Sequence, residues 1–227
     1  KIDNIPGAPT QSYVHQIITS WHDKNTAYAC FNHHRYGDFK PYIFKTVDGG
    51  KSWKSISANL PERGSVYSIA EDHVDAGLLF VGTEFGVFFS KDGGSNWIQL
   101  KAGLPTIAVR DIEIQRREND LVLATFGRGF YILDDYSPLR NIKRDDFNKS
   151  AKILPVKDAW MYIESTPLGL RDKGHLGSGY FSAQNPPVGA VFSYYLKESI
   201  KTIKEKRQET EKTKKAKGET FYYPSMD

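Results

Sequence analysis

The stretch KTVDGGKSW, residues 45–53, returns as SKDGGSNW at 90–97, and the likeness runs well beyond these two boxes. Setting Asp48, Asp92 and Asp135 in register lays Trp53 on Trp97, GVFFSKD on GFYILDD, and SANLPERGSVYSIAED on KAGLPTIAVRDIEIQ, with a period of 44 residues and then 43. A fixed period of this size means that each unit is one supersecondary motif stacked on the next. Within each unit, short runs of Tyr, Phe, Val and Ile alternate with turn residues, which is the pattern of antiparallel strands. The first unit predicts strands at 14–19, 26–32, 41–46 and 53–57, and the second at 66–71, 78–83, 86–91 and 97–100. The third offers 109–115, 120–126 and 129–134, with a weaker fourth strand after a degenerate turn. Four strands in about 40 to 50 residues make the blade of a β-propeller. The expected fold is therefore all-β, with three consecutive four-stranded blades.

Both boxes fall between the third and fourth strands of their units, where a hairpin turn is required. Asp48 and Asp92 can accept hydrogen bonds from turn N–H groups, Thr46 and Ser90 add a hydroxyl, and Gly50 and Gly94, with the glycines before them, permit positive φ. Trp53 and Trp97 have the size to fill the space between one blade and its neighbour. A catalytic carboxylate works once, beside a specific partner, whereas these groups recur in each blade. The boxes are expected to be scaffold.

Composition narrows the function. The formal net charge is +4, but Lys197–Glu219 holds nine Lys or Arg against five Glu, so the rest of the chain is neutral and gives no basic surface for nucleic acid. That charged segment favours a solvated helix or disorder. No apolar run approaches the ~20 residues of a membrane span. The single cysteine, Cys30, lies in the apolar run TAYACF and reads as a buried, inert thiol. FGRG at 126–129 precedes a strand instead of opening a helix, so it reads as a turn and not a phosphate loop. No cofactor is implied. A chain that opens on Lys and not Met is read as part of a longer protein, so the missing signal segment says nothing of compartment.

The box pattern S/T-x-D-x-G-x-x-W resembles the Asp-box, or BNR repeat, of sialidases, sortilin-type VPS10 propellers and xyloglucanases. PYIFKTVDGGKSW, GLLFVGTEFGVFFSKDGGSNW and DLVLATFGRGFYILDDYSPLR are similar to the final blades of large secreted bacterial BNR/VPS10-like proteins labelled glycosyl hydrolases. The resemblance covers residues 10 to 140. NPPVGAVFSYYLK, 185–197, is similar to the stretch where those proteins leave the propeller and begin a C-terminal β-sandwich. It implies blades over 1–140, an extension and linker over 141–184, and over 185–227 the first strand of a sandwich followed by a charged insertion. GHLGSGYFSAQNPP (174–187) lacks apolar periodicity and reads as a linker crossing the surface, with Pro186 and Pro187 marking entry to the next domain. It also implies a secreted, periplasmic or cell-surface bacterial protein. Three blades do not close a ring, which takes about four to eight. The remaining blades are expected from other sequence or other chains.

Successive turns of an antiparallel blade alternate between the two faces of the disc, so the box turns share one face. The turns between second and third strands lie on the other, together with the connections between blades. On that face the first unit carries an insertion: Ile17 to Ile69 spans 52 residues, but Ile69 to Ile112 spans 43. The extra residues are in NHHRYGDFK, which supplies His33, His34, Arg35, Tyr36 and Asp38; the matching turns supply Glu84 with Phe85, and Arg128. Stacking surface and hydrogen-bond donors together suit a ligand or partner contact. The plainer reading pairs Arg35 with Asp38 and leaves the histidines solvated. Adjacent histidines without a third ligand are a weak metal signal. The three-arginine cluster, Tyr–Glu pair and acid Asp of a sialidase site do not assemble from Arg128, Arg110 and Arg35. The leading expectation is a binding scaffold for a protein or glycan partner; the alternative is a glycoside hydrolase, sialidase-like or xyloglucanase-like, with its catalytic residues largely outside this chain and Glu84 with Asp38 as the carboxylates to test.

Overall fold

The computed structural model describes residues 5–101, 103–163, 179, 187–220 and 222. It divides into two compact units, 1–143 with 154–193, and 144–153 with 194–227.

The first unit is built of propeller blades. β1 (Tyr13–Thr19), β2 (Ala27–His33), β3 (Asp38–Thr46) and β4 (Lys54–Ser55) form one four-stranded sheet in chain order. β5 (Val66–Glu71), β6 (Leu79–Thr83), β7 (Gly86–Ser90) and β8 (Ile98–Leu100) form the second, and β9 (Val109–Gln115), β10 (Asp120–Thr125) and β11 (Phe130–Leu133) the third. Every pairing is antiparallel. Among the described residues the third blade shows no fourth strand. After β11 the chain turns through 3₁₀ geometry at Ser137–Asn141, where Pro138 has no N–H to give a ladder. Arg140 instead reaches back to Asp72, donating from Nε (2.8 Å) and a terminal nitrogen (2.7 Å), while Tyr136 donates its hydroxyl to the same carboxylate (2.5 Å).

Two apolar layers join the blades. Tyr28, Cys30 and Ile43 of the first blade, with Ile56 and Leu60, meet Ile69, Val81, Phe88 and Trp97 of the second. Phe80, Val87 and Phe89 meet Val109, Ile112, Leu121 and Leu123 of the third, closed by Tyr136. Cys30 lies wholly within the first layer, where burial pushes its thiol pKa up, as expected of an inert cysteine. The blades approach closely at Gly82, where a Cβ would stand 2.6 Å from the Val109 carbonyl oxygen and against Ser68 Oγ. Gln16 on β1 ties all three first strands: its Oε1 accepts from the Ile69 amide (2.7 Å) and its Nε2 donates to Asp111 (3.5 Å).

Both boxes are hairpin turns. The Thr46 hydroxyl donates to Asp48 (2.8 Å) and accepts from the Gly50 amide (3.0 Å), and Asp48 in turn accepts from the Ser52 amide (2.9 Å) and hydroxyl (2.5 Å). The second box repeats this with Ser90, Asp92, Gly94 and Asn96. Gly50 and Gly94 have φ of 87° and 94°. The Gly49 amide donates to the Asn25 carbonyl, Gly93 to Gly77 and Tyr136 to Asn119, so each box turn docks on the turn between the first and second strands of its own blade. The two tryptophans differ. Trp97 is buried between blades and donates its indole N–H to the Ile56 carbonyl (2.8 Å). Trp53 does not lie between two described blades: half-buried, it packs on Ala29, Phe31 and Phe44 beside Ile5 and Ala8, and its N–H has no partner among the described residues.

In the second unit β12 (Ala151–Ile153) pairs antiparallel with β13 (Tyr194–Leu196), and α1 (Ile203–Ala216) carries no buried residue. Thr202 and Glu205 close a capping box at its start, which makes a polar helix with so little apolar stripe possible. The linker expected over 174–187 lies outside the described residues except for Gly179 and Pro187.

Candidate functional site

One irregularity recurs in all three blades. The β1–β2 register skips His15, the β5–β6 register skips Tyr67, and the β9–β10 register shifts at Arg110. Each is a β-bulge, which re-aims the side chain of the extra residue. The three side chains meet: the His15 ring packs edge-on against Tyr67 with centroids 4.9 Å apart, and the Arg110 guanidinium lies 3.8 Å from the Tyr67 centroid on its way to Phe126 at 5.2 Å. Burial, with Arg110 nearby, holds the His15 pKa below its ordinary value against a backbone hydrogen bond that raises it, so the ring is neutral at neutral pH.

The row opens into a pocket of about 350 Å³ on the face opposite the boxes. Its walls are the β2–β3 turn with His34 and Phe39, the β6–β7 turn with Glu84 and Phe85, and the connection between the first two blades with Arg63 and Ser65. That connection is fixed at both ends, the Gly64 amide donating to the Phe39 carbonyl (2.9 Å) and the Glu84 amide to the Ser65 carbonyl (3.0 Å). Tyr67 donates its hydroxyl to Glu84, and burial together with that carboxylate pushes the phenol up to about 12. Two buried polar atoms at this site have no partner among the described residues, Ser65 Oγ and Arg110 Nε. In a second groove, along β1, β5 and β9, the carboxylate of Glu71 accepts from the Ser20 hydroxyl (3.0 Å), the Trp21 amide (2.7 Å) and the Tyr28 hydroxyl (2.8 Å), while His73 Nδ1 is buried without a hydrogen-bond partner among the described residues.

Of the residues singled out from sequence, His34, Glu84 and Phe85 line the pocket. Arg128 does not; it sits in the exposed 126–129 turn, and Phe126 is the residue of that turn that reaches Arg110. The insertion is not an open loop. It closes as a 3₁₀ turn at His34–Tyr36 with Gly37 at φ 74°, after which β3 starts early, at Asp38. Tyr36 stacks on His33 at 4.4 Å and donates to Gln11 (2.7 Å), and neither lines the pocket. No ion pair joins Arg35 to Asp38 among the described residues. Asp38 accepts from the Tyr42 hydroxyl (2.6 Å) and the Lys40 amide (3.1 Å), and the Tyr42 bond, outweighing a small burial cost, holds its carboxyl below the ordinary range. Asp38 and Glu84 are thus each engaged by a tyrosine, and Asp38 is no pocket residue. No group of three or more His, Cys, Asp or Glu able to hold a metal occurs among the described residues.

Arg63, Ser65, Tyr67 and Arg110 were not evident as site residues from sequence. The signal for two of them was present: Tyr67 and Arg110 stand two residues before Ile69 and Ile112, as His15 does before Ile17, so the repeat itself aligns them.

No family model matches the chain. No curated protein matches it either. Among solved structures it is similar to the GH74 enzyme of Niastella koreensis (16% identity over 54% of this chain and 21% of that one, TM-score 0.46) and to the GH74 xyloglucanase from Xanthomonas campestris (15%, 54% and 22%, TM-score 0.42). It is also similar to YCF48 bound to D1 peptide (18%, 55% and 37%, TM-score 0.40). The chain spans well under half the length of each. The blade assignment rests on the strand order and register of the sheets themselves.

Proposed function

We propose that the blades are a binding scaffold of a secreted or cell-envelope protein, and that the face bearing the β2–β3 and β6–β7 turns recognises a protein or glycan partner. The boxes belong to the opposite face, and the blades resemble the Asp-box, VPS10-like propellers named above. We assign 185–227 to the start of a further β domain on the same resemblance. No described helix is long and apolar enough to cross a membrane.

The observation that carries this reading is a contrast between the faces. At the boxes, hydroxyl, carboxylate and turn amides satisfy one another. At the pocket, buried donors stand unpaired beside exposed aromatic rings, Phe39 and Phe85, which is how a surface built for a ligand differs from one built for a turn. The test is to screen the chain against neutral oligosaccharides, oligouronates and peptides, and to repeat any binding with Arg63→Gln. Binding lost in that variant supports the reading. Turnover of an aryl glycoside or of xyloglucan that disappears with Glu84→Gln, while folding survives, would establish the hydrolase instead.

A further inference from the structure

We propose that the pocket selects a carboxylate borne beside an apolar side chain, as at the end of a peptide or on an acidic residue next to a hydrophobic one. This rests on the reading of that face as the binding face and names what it binds. The free groups of the pocket are donors. Arg63 extends over the Phe39 ring, 5.8 Å from its centroid, and is otherwise exposed. Arg110 is clamped by Tyr67 and Phe126, which fixes its plane and leaves the buried Nε–H unpaired. Ser65 is 1% exposed, with its hydroxyl unpaired at the pocket wall. A buried donor without a partner costs about 1–3 kcal/mol. An acceptor that reaches either atom removes that cost there. A guanidinium held flat presents parallel N–H groups that match the two oxygens of a carboxylate.

Charge sets the valence. Two guanidiniums face one carboxylate, Glu84, which already accepts from Tyr67, so the excess is one positive charge and suits a monoanion better than a phosphate dianion. The remaining wall decides between peptide and acidic sugar. A sugar ring presents hydroxyls on every edge and calls for acceptors as well as donors. The pocket offers Phe39 and Phe85, 43% and 48% exposed, and its one carboxylate is engaged. An apolar side chain covers such rings; a ring of hydroxyls leaves its own donors unmatched.

The test is an NMR titration of the whole chain, ¹⁵N-labelled, reading arginine Nε–Hε and backbone signals. The probes are acetyl-Gly-Leu-Phe as free acid, the same peptide as its amide, blocked acetyl-Glu-Phe-amide, digalacturonate, inorganic phosphate and cellobiose. The free acid should shift Arg110 and Arg63 saturably, with the amide at least about tenfold weaker, the loss of one charge-assisted pair. The blocked peptide tells whether a side-chain carboxylate serves as well as a terminal one; binding by either acid supports the proposal. Arg63→Gln and Ser65→Ala should weaken binding severalfold. Neither should lower the melting temperature, because Arg63 is exposed and the Ser65 hydroxyl bonds nothing. Equal binding of acid and amide, or tighter binding of phosphate or digalacturonate at the pocket, overturns the peptide carboxylate and keeps the binding face. Shifts from cellobiose alone do the same. Shifts confined to the box turns overturn both, and no shift from either acid overturns the proposal.

Discussion

Trp97 and Trp53 occupy the same position of two boxes, yet replacing each by Ala should have unequal effects. Trp97 is 4% exposed, enclosed by Tyr28, Ile43, Ile56 and Leu60 from the first blade, and its indole N–H is held by the Ile56 carbonyl. Its loss opens a cavity worth about 3–5 kcal/mol. The stranded Ile56 carbonyl adds about 1 kcal/mol or more. Trp53 is only half-buried and its N–H bonds nothing, so the cavity term is roughly halved, to about 1.5–2.5 kcal/mol, with no hydrogen-bond term. The difference is at least about 2 kcal/mol. With a denaturant slope of about 2 kcal/mol/M it separates the two urea midpoints by roughly 1 M. Far-UV circular dichroism of the two variants measures it. Equal midpoints would show that both tryptophans pack alike, and the placement of Trp53 outside the inter-blade layers would be wrong.

Gly82→Ala should destabilise by about 1–3 kcal/mol, since its methyl would press on the Val109 carbonyl of the next blade; thermal unfolding measures this, and a neutral result would deny the close approach. Arg140→Met should cost about 3–5 kcal/mol by leaving the fully buried Asp72 carboxylate without its guanidinium partner, with the Tyr136 hydroxyl and the Val74 and Asp75 amides still donating to it, and Asp72→Asn in the same chain should recover part of it. Asp48 is held well below the ordinary carboxylate range by hydrogen bonds from the Ser52 hydroxyl and amide and the Thr46 hydroxyl. Asp92 is lowered too, its burial being outweighed by Asn96 and Ser90. A carboxylate whose folded pKa is depressed stabilises fully above its unfolded value, near about 4, and loses that contribution as pH falls through the folded value. The contribution of these carboxylates to the melting temperature should therefore be flat above about pH 5 and fall below about pH 4, so the Asp48→Asn variant should show a lower plateau and a shallower fall than the unaltered chain below about pH 4.

The blades were legible because a repeat of 44 and 43 residues constrains every unit at once: strand positions, the box turns and the alternation of faces all follow from it. The 3₁₀ turn that follows the third strand of the third unit was not, because a pair of long-range contacts holds it. Arg140 and Tyr136 find Asp72 across 68 and 64 residues, and no local pattern announces that. The candidate site was half legible. Turn alternation located the face, and His34 and Glu84 are on it, but the insertion folded into a longer hairpin whose polar groups bond one another, as Asp38 does with Tyr42 and Tyr36 with Gln11. The site is instead built on a row of three bulged residues, of which Tyr67 and Arg110 line the pocket. Bulges leave no mark in hydrophobic periodicity beyond one extra residue, so His15, Tyr67 and Arg110 look like ordinary strand positions until the registers are seen.

The central claim is that the two faces divide the work, scaffold at the boxes and recognition at the bulged row. The most direct test maps backbone amide shifts of the unaltered chain as it is titrated with the tightest-binding member of the oligosaccharide and peptide panel. The largest changes should fall at Phe39, Ser65, Tyr67, Phe85 and Arg110, leaving 47–52 and 91–96 still. Changes centred on the box turns, with the pocket residues unmoved, would contradict it.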